Sequence, residues 1–124
     1  MKQLPQNLTA REVLKRYEDE QLPAFAGMTL NDPNQRGVFG EHPLEVASVR
    51  GSLEEMLALI EGGADVNASG ELGNTALHEA ASQGQKEAVK LLLERGARRD
   101  VKNDFGQTAL DVAKCEEIAN LLRG

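Results

Sequence analysis

Residues 73–97 read GNTALHEAASQGQKEAVKLLLERGA. The stretch holds one histidine, His78, and several acids, but no catalytic constellation. Its apolar residues recur at helical spacing in two blocks, roughly 76 to 83 and 86 to 95, separated by turn sequence containing Gly84. Thr75 stands at an N-cap position and Gly96 at a C-cap position. Helices this short are marginal alone in water, so the pattern predicts a pair that survives by stacking on neighbours. Small residues such as Ala80 and Ala81 let neighbours come close.

The neighbours are in the same chain. GEHPLEVASVRGSLEEMLALIEGGADVNA, from Gly40, lies over GNTALHEAASQGQKEAVKLLLERGARRDV, from Gly73, and GQTALDVAK, from Gly106, opens a third copy, each 33 residues after the last. Leu44, Leu77 and Leu110 align, as do Ala47, Ala80 and Ala113, Gly51 with Gly84, and Met56 with Val89. This resembles the ankyrin repeat, whose period is about 33 residues and whose signature is a TPLHxA box. The resemblance covers residues 40–124 and implies an all-α fold: an ankyrin-repeat solenoid of stacked helix-turn-helix pairs with finger loops. Pairs are expected at 43 to 61 and 76 to 95 and a shortened one at 109 to 123, in repeats 40–72, 73–105 and 106–124. Gly62 and Gly63 would cap the first pair as Gly96 caps the second. His42 replaces the box threonine in the first copy, and Asp111 replaces its histidine in the third. The third copy is also four residues short: Ile118, Leu121 and Leu122 fit Val89, Leu92 and Leu93 at an offset of 29, as an end cap would.

The resemblance also settles how His78 is read. A base or metal ligand needs partners, and the only other histidine, His42, is at a non-equivalent position. The family box implies instead a ring that hydrogen-bonds backbone around the turn. Thr75 and Thr108 read as N-caps, and Cys115 as a partly buried packing residue.

Residues 1–39 show no copy of the repeat and are expected to form an N-terminal helix and capping strap. Thr9 and Glu12 have capping-box spacing, and Leu8, Val13, Leu14 and Tyr17 give one apolar side to a helix running to about Glu20. The following QLPAFAGMTLNDPNQRG is rich in Pro, Gly and Asn but carries Phe25, Met28 and Leu30, as an ordered irregular strap would. Helix and strap are expected to cover the first repeat, and they can also contribute to a binding surface.

Length and composition set the outer bounds. The 124 residues, 40% hydrophobic, suit one domain with a modest core, and with aromatics at 3% that core must be built from Ala, Leu, Val and Ile. The single cysteine leaves no internal disulfide and no cysteine-rich metal site. No apolar run has signal-peptide or membrane-spanning character, so the expectation is a cytoplasmic protein without membrane contact. A net charge of −6 argues against nucleic acid as a ligand. The excess is concentrated: residues 40–72 hold one base, Arg50, against seven acids, whereas residues 73–105 hold six bases against five.

Catalytic motifs are absent: there is no GxxxxGK, HExxH, GxSxG or CxxC, and the carboxylates fall mainly at helix-surface spacings where solvation explains them. No catalytic, metal or cofactor site is expected. The family resemblance implies binding of another protein through the finger tips and the concave face of the inner helices. Carried over by position, the candidate contacts are Val38, Phe39 and Glu41; Val49 and Arg50; Glu71, Leu72 and Asn74; Ser82 and Gln83; and Asp104, Phe105 and Gln107. Phe39, Leu72 and Phe105 each precede a turn glycine and recur every 33 residues, forming an apolar line beside acidic residues. With no second domain to tether, the chain is similar to small bacterial immunity proteins that neutralise a toxin. The expectation is a stoichiometric inhibitor, monomeric when free, of one basic partner such as a toxin or effector. A regulatory or stress-related adaptor is the alternative reading.

Overall fold

The computed structural model describes residues 8–124; the first seven residues of the N-terminal extension lie outside the described residues. The described residues form six α-helices: α1 (Ala10–Glu20), α2 (Pro43–Arg50), α3 (Leu53–Glu61), α4 (Ala76–Gln83), α5 (Lys86–Glu94) and α6 (Glu116–Arg123). Short 3-10 turns lie at Pro23–Phe25 and Glu71–Gly73. None of the described helices is long and apolar enough to cross a membrane.

The helices stack as two layers. The inner helices α2 and α4 pack on each other, and the outer helices follow in order, α1 on α3, α3 on α5 and α5 on α6. The inner layer is close because its contact residues are small: Ala47 and Ala80 are fully buried, with Leu44 and Leu77 beside them. Met56, Leu59, Val89, Leu92 and Ile118 fill the outer layer. Each full pair ends on a glycine of positive φ, which is Gly96 as expected in the second pair and, of the two expected caps in the first, Gly63. Gly63 and Gly96 have φ of 106° and 92°, while Gly62 stays at −84°. Ala64 N–H then donates to Leu59 O (2.9 Å) and Ala97 N–H to Leu92 O (2.9 Å), satisfying carbonyls that the helix leaves open.

The N-terminal helix packs on α3, the outer helix of the first pair. Thr9 and Glu12 close a reciprocal capping box, and Val13, Leu14 and Tyr17 bury against α3. α1 runs antiparallel to α3. A Cβ added at Gly62, at the end of α3, would fall 2.4 Å from Ala10 Cβ, so glycine permits the approach. At the other end, Tyr17 OH donates to Glu55 at 2.5 Å and Arg16 pairs with the same carboxylate at 2.9 Å. The strap folds back beneath: Phe25 stacks on Tyr17 with ring centroids 6.2 Å apart, and Leu30 is buried.

Four expectations need correction. Residues 1–39 are not free of the repeat: Asn34 bonds Gly63 O (2.9 Å) and Asp65 N–H (2.7 Å), as Asn67 bonds Gly96 O (3.2 Å) and Arg98 N–H (2.8 Å) one period later. The expected third pair has lost its first helix. Residues 109–113 wind into two successive turns, Val112 N–H to Ala109 O and Ala113 N–H to Leu110 O, both at 3.2 Å. With four residues fewer, the chain must leave the inner layer early, and Lys114 N–H anchors it to Ala81 O at 3.0 Å before α6 begins. Cys115 is exposed ahead of α6 rather than packed. The helical carboxylates are not all solvated either, since Glu45 and Glu55 are both buried.

Candidate functional site

Three fingers project from the inner layer, and all have one construction. In residues 37–41, 70–74 and 103–107 the first N–H donates to the carbonyl of the fifth residue, at 2.6, 2.8 and 2.9 Å. In each, the turn glycine N–H closes back onto the first carbonyl, at 3.0, 3.0 and 2.9 Å. The residue before that glycine is thereby held at the tip. Phe39, Leu72 and Phe105 are 59%, 50% and 67% exposed, with Val38 exposed beside the first. None of the three side chains is buried in its own finger.

Hydrogen bonds stitch the second and third fingers together. Asn103 Nδ2 donates to Asn74 Oδ1 (2.9 Å) and Gln107 Oε1 (3.1 Å), and Asp104 N–H donates to Leu72 O (2.9 Å). The side chains of Asn74 and Gln107 therefore help to hold the surface. His78 does the same from below. Its Nδ1 accepts the Thr75 N–H at 3.1 Å, which leaves the proton on Nε2 to donate to Gln107 O at 2.8 Å. The ring joins the second helix pair to the third finger and has no nitrogen left for chemistry.

Between fingers and inner helices lies an open cleft of about 340 Å³, lined by Glu41, Glu45, Val46, Val49, Arg50, Glu71 and Glu79. Four of the sequence-predicted residues, Glu41, Val49, Arg50 and Glu71, meet in this cleft. Ser82 and Gln83 are exposed at the end of α4, outside its lining. Arg50 differs from expectation, because its guanidinium turns away to α1. It pairs with Glu20, lies 3.4 Å from Glu55, and rests 5.0 Å over the Tyr17 ring. Its charge is already committed to holding the N-terminal cap.

Sequence reasoning missed Glu45, Val46 and Glu79. Val46 and Glu79 lie one helical turn before the predicted Val49 and Ser82, so the i, i+3 rule could have found them. Burial pushes the Glu79 carboxyl up to about 7, with the negative charges of Glu45, Glu71 and Glu41 adding to the shift. Glu45 Oε1 accepts the His42 N–H at 2.6 Å and lies 2.9 Å from His42 Nδ1. Its Oε2 is buried with no hydrogen-bond partner. No three His, Cys, Asp or Glu side chains among the described residues are placed to hold a metal ion.

A family model for ankyrin repeats in three copies matches residues 15–103 and 44–123. The match thus begins inside α1, ahead of the first repeat visible by eye. No curated protein is significantly similar to the chain.

Proposed function

The chain belongs to the ankyrin-repeat family, whose repeats bind other proteins, and from that premise we propose that it is a non-catalytic module for one protein partner. The interface we assign runs along the finger tips and down the concave face of α2 and α4. The observation that carries this reading is the row of Phe39, Leu72 and Phe105, large apolar side chains held at successive tips and left largely exposed. Exposed apolar residues are ordinary one at a time, but a rimmed row of them has the make-up of an interface. Acidic residues supply the rim, with Glu41 and Glu71 at the fingers and Glu79 behind them. That charge supports a basic partner. It also favours the finer reading of a stoichiometric inhibitor, such as an immunity protein that neutralises a basic toxin. In this reading residues 1–39 serve as the cap and supply Val38 and Phe39 of the first finger, residues 40–124 form the rest of the binding domain, and the chain is monomeric when free.

The test is affinity capture from the native host, with the captured protein identified by mass spectrometry and its binding then measured by calorimetry. A Phe39→Ala, Leu72→Ala, Phe105→Ala triple variant should fold normally and lose the partner. Lys86→Ala and Lys90→Ala, on outer helix α5, should bind as the wild type does. Glu55, although on an outer helix, is unsuitable as a control because it is buried under α1. Wild-type affinity in the triple variant, with loss on changing α5, would move the interface to the opposite face.

A further inference from the structure

We propose that the concave cleft is a receptor site for one cationic side chain, an arginine or lysine that the protein partner inserts between α2 and α4. This rests on the protein-binding reading above and adds the chemistry of the group seated there. Four carboxylates reach the cleft from four separate segments: Glu41 and Glu71 from successive fingers, Glu45 from α2 and Glu79 from α4. Among the described residues, no basic group lies within ion-pair distance of Glu41, Glu71 or Glu79. The one basic residue in the lining, Arg50, has its guanidinium held by Glu20 and Glu55 on the side of α1. Three of the four acids, Glu41, Glu71 and Glu79, therefore face the cleft without a basic partner among the described residues.

A second observation, independent of the count of acids, points to an incoming donor. The Glu45 side chain is only 4% exposed, yet its Oε2 has no hydrogen-bond partner. A buried carboxylate oxygen left unpaired carries its full desolvation cost, which a donor entering the cleft would relieve. The chain keeps room for this carboxylate. A Cβ at Gly70, in the second finger, would fall 2.3 Å from both Glu45 oxygens. The shape of the cleft selects the kind of cation. Among the described residues the acids do not converge on a metal-binding point, and Val46 and Val49 add apolar side chains to the lining. A methylene stem against valines with a charged head among carboxylates is how Lys and Arg side chains divide between apolar and polar surroundings.

The test uses the isotopically labelled full chain and three probes: N-acetyl-arginine amide, its uncharged analogue N-acetyl-citrulline amide, and calcium chloride. Nuclear magnetic resonance should show saturable shifts with the arginine probe, confined to residues 41, 45–50, 71 and 79. The Glu79 titration midpoint should fall below about 7, because a bound cation stabilises the carboxylate. The citrulline probe should bind at least roughly tenfold more weakly, the loss expected when a charge-assisted contact is removed. A Glu71→Gln, Glu79→Gln variant should lose the response, whereas Glu87→Gln on α5 should keep it. Equal responses to arginine and citrulline, equal responses to calcium at the same residues, or non-saturating shifts spread over acids such as Glu54 and Glu94 would each overturn the site. Those results leave the protein-binding reading standing if the captured partner is still lost by the finger triple variant.

Discussion

Two carboxylates, Glu45 and Asp111, and an imidazole, His78, each accept the backbone N–H of the residue three before, at 2.6, 2.9 and 3.1 Å. The turn into each repeat needs an acceptor at that position, and a carboxylate oxygen serves as well as an imidazole nitrogen. His42 and Asp111 depart from the family box in the letters of the sequence but leave that local bond in place. Of the three, His78 alone makes a second hydrogen bond to the next finger, which is why a histidine here is structural. Glu79 is the opposite case, a residue the fold tolerates at a cost. Its carboxyl keeps its proton up to about 7 in the folded chain against an ordinary 4.5. Between those values the folded state binds the extra proton, so the stability Glu79 contributes is full at low pH and is lost as pH rises toward about 7. The groups facing it are Glu45 from α2 and Glu41 and Glu71 from the fingers, with Arg50 also in the cleft but turned to α1. Glu79→Gln should therefore unfold like the wild type at pH 4 and melt at a higher temperature at pH 8. A variant that melts lower than the wild type at pH 8 would show that the ionised carboxylate is favourably paired.

At the scale of elements, α1 is fastened through Glu55, which receives Tyr17, Arg16 and Arg50 together. Burial and the bond to Glu55 hold the Tyr17 hydroxyl far above the usual phenol range, so it remains a donor at any ordinary pH. Tyr17→Phe keeps the ring stack on Phe25 and removes only that donor. The expected loss is about 1.5–3 kcal/mol, the worth of a hydrogen bond to a charged group, read by urea denaturation with faster amide exchange in α1. No change in either measurement would mean the cap does not depend on this contact. The capping box and apolar side of α1 were legible because both are local signals. Glu55 was not, since Glu54 and Glu55 are adjacent identical residues and only the docking of a helix 38 positions away in sequence makes one buried. The missing first helix of the third copy was hidden for a similar reason. Its sequence repeats the pattern of α4, but the deletion after it takes away the length needed to finish the turn.

At the scale of the molecule, each helix pair meets only its neighbours, so the middle pair carries the stack. Leu77 is 1% exposed at its centre. Leu77→Ala should cost about 2–5 kcal/mol by the cavity rule, measured by equilibrium denaturation. A loss below roughly 0.5 kcal/mol, the range of ordinary surface substitutions, would show that the aligned leucines are not the core. The 33-residue period was enough to read the stacking order, the core positions Leu44, Leu77, Ala47 and Ala80, and the three exposed tips. It could not show the acidic cleft, because Glu45 and Glu79 come together only when two repeats are superposed in space and Gly70 closes over one of them. Engagement of a protein by fingers and concave face together is tested by hydrogen exchange of the purified complex with the captured partner, compared with the free chain. Slowed exchange at residues 38–41, 46–50, 71–74 and 104–107, with α3 and α5 unchanged, is the predicted result. Slowing confined to α3 and α5, with the fingers exchanging as freely as before, would contradict it.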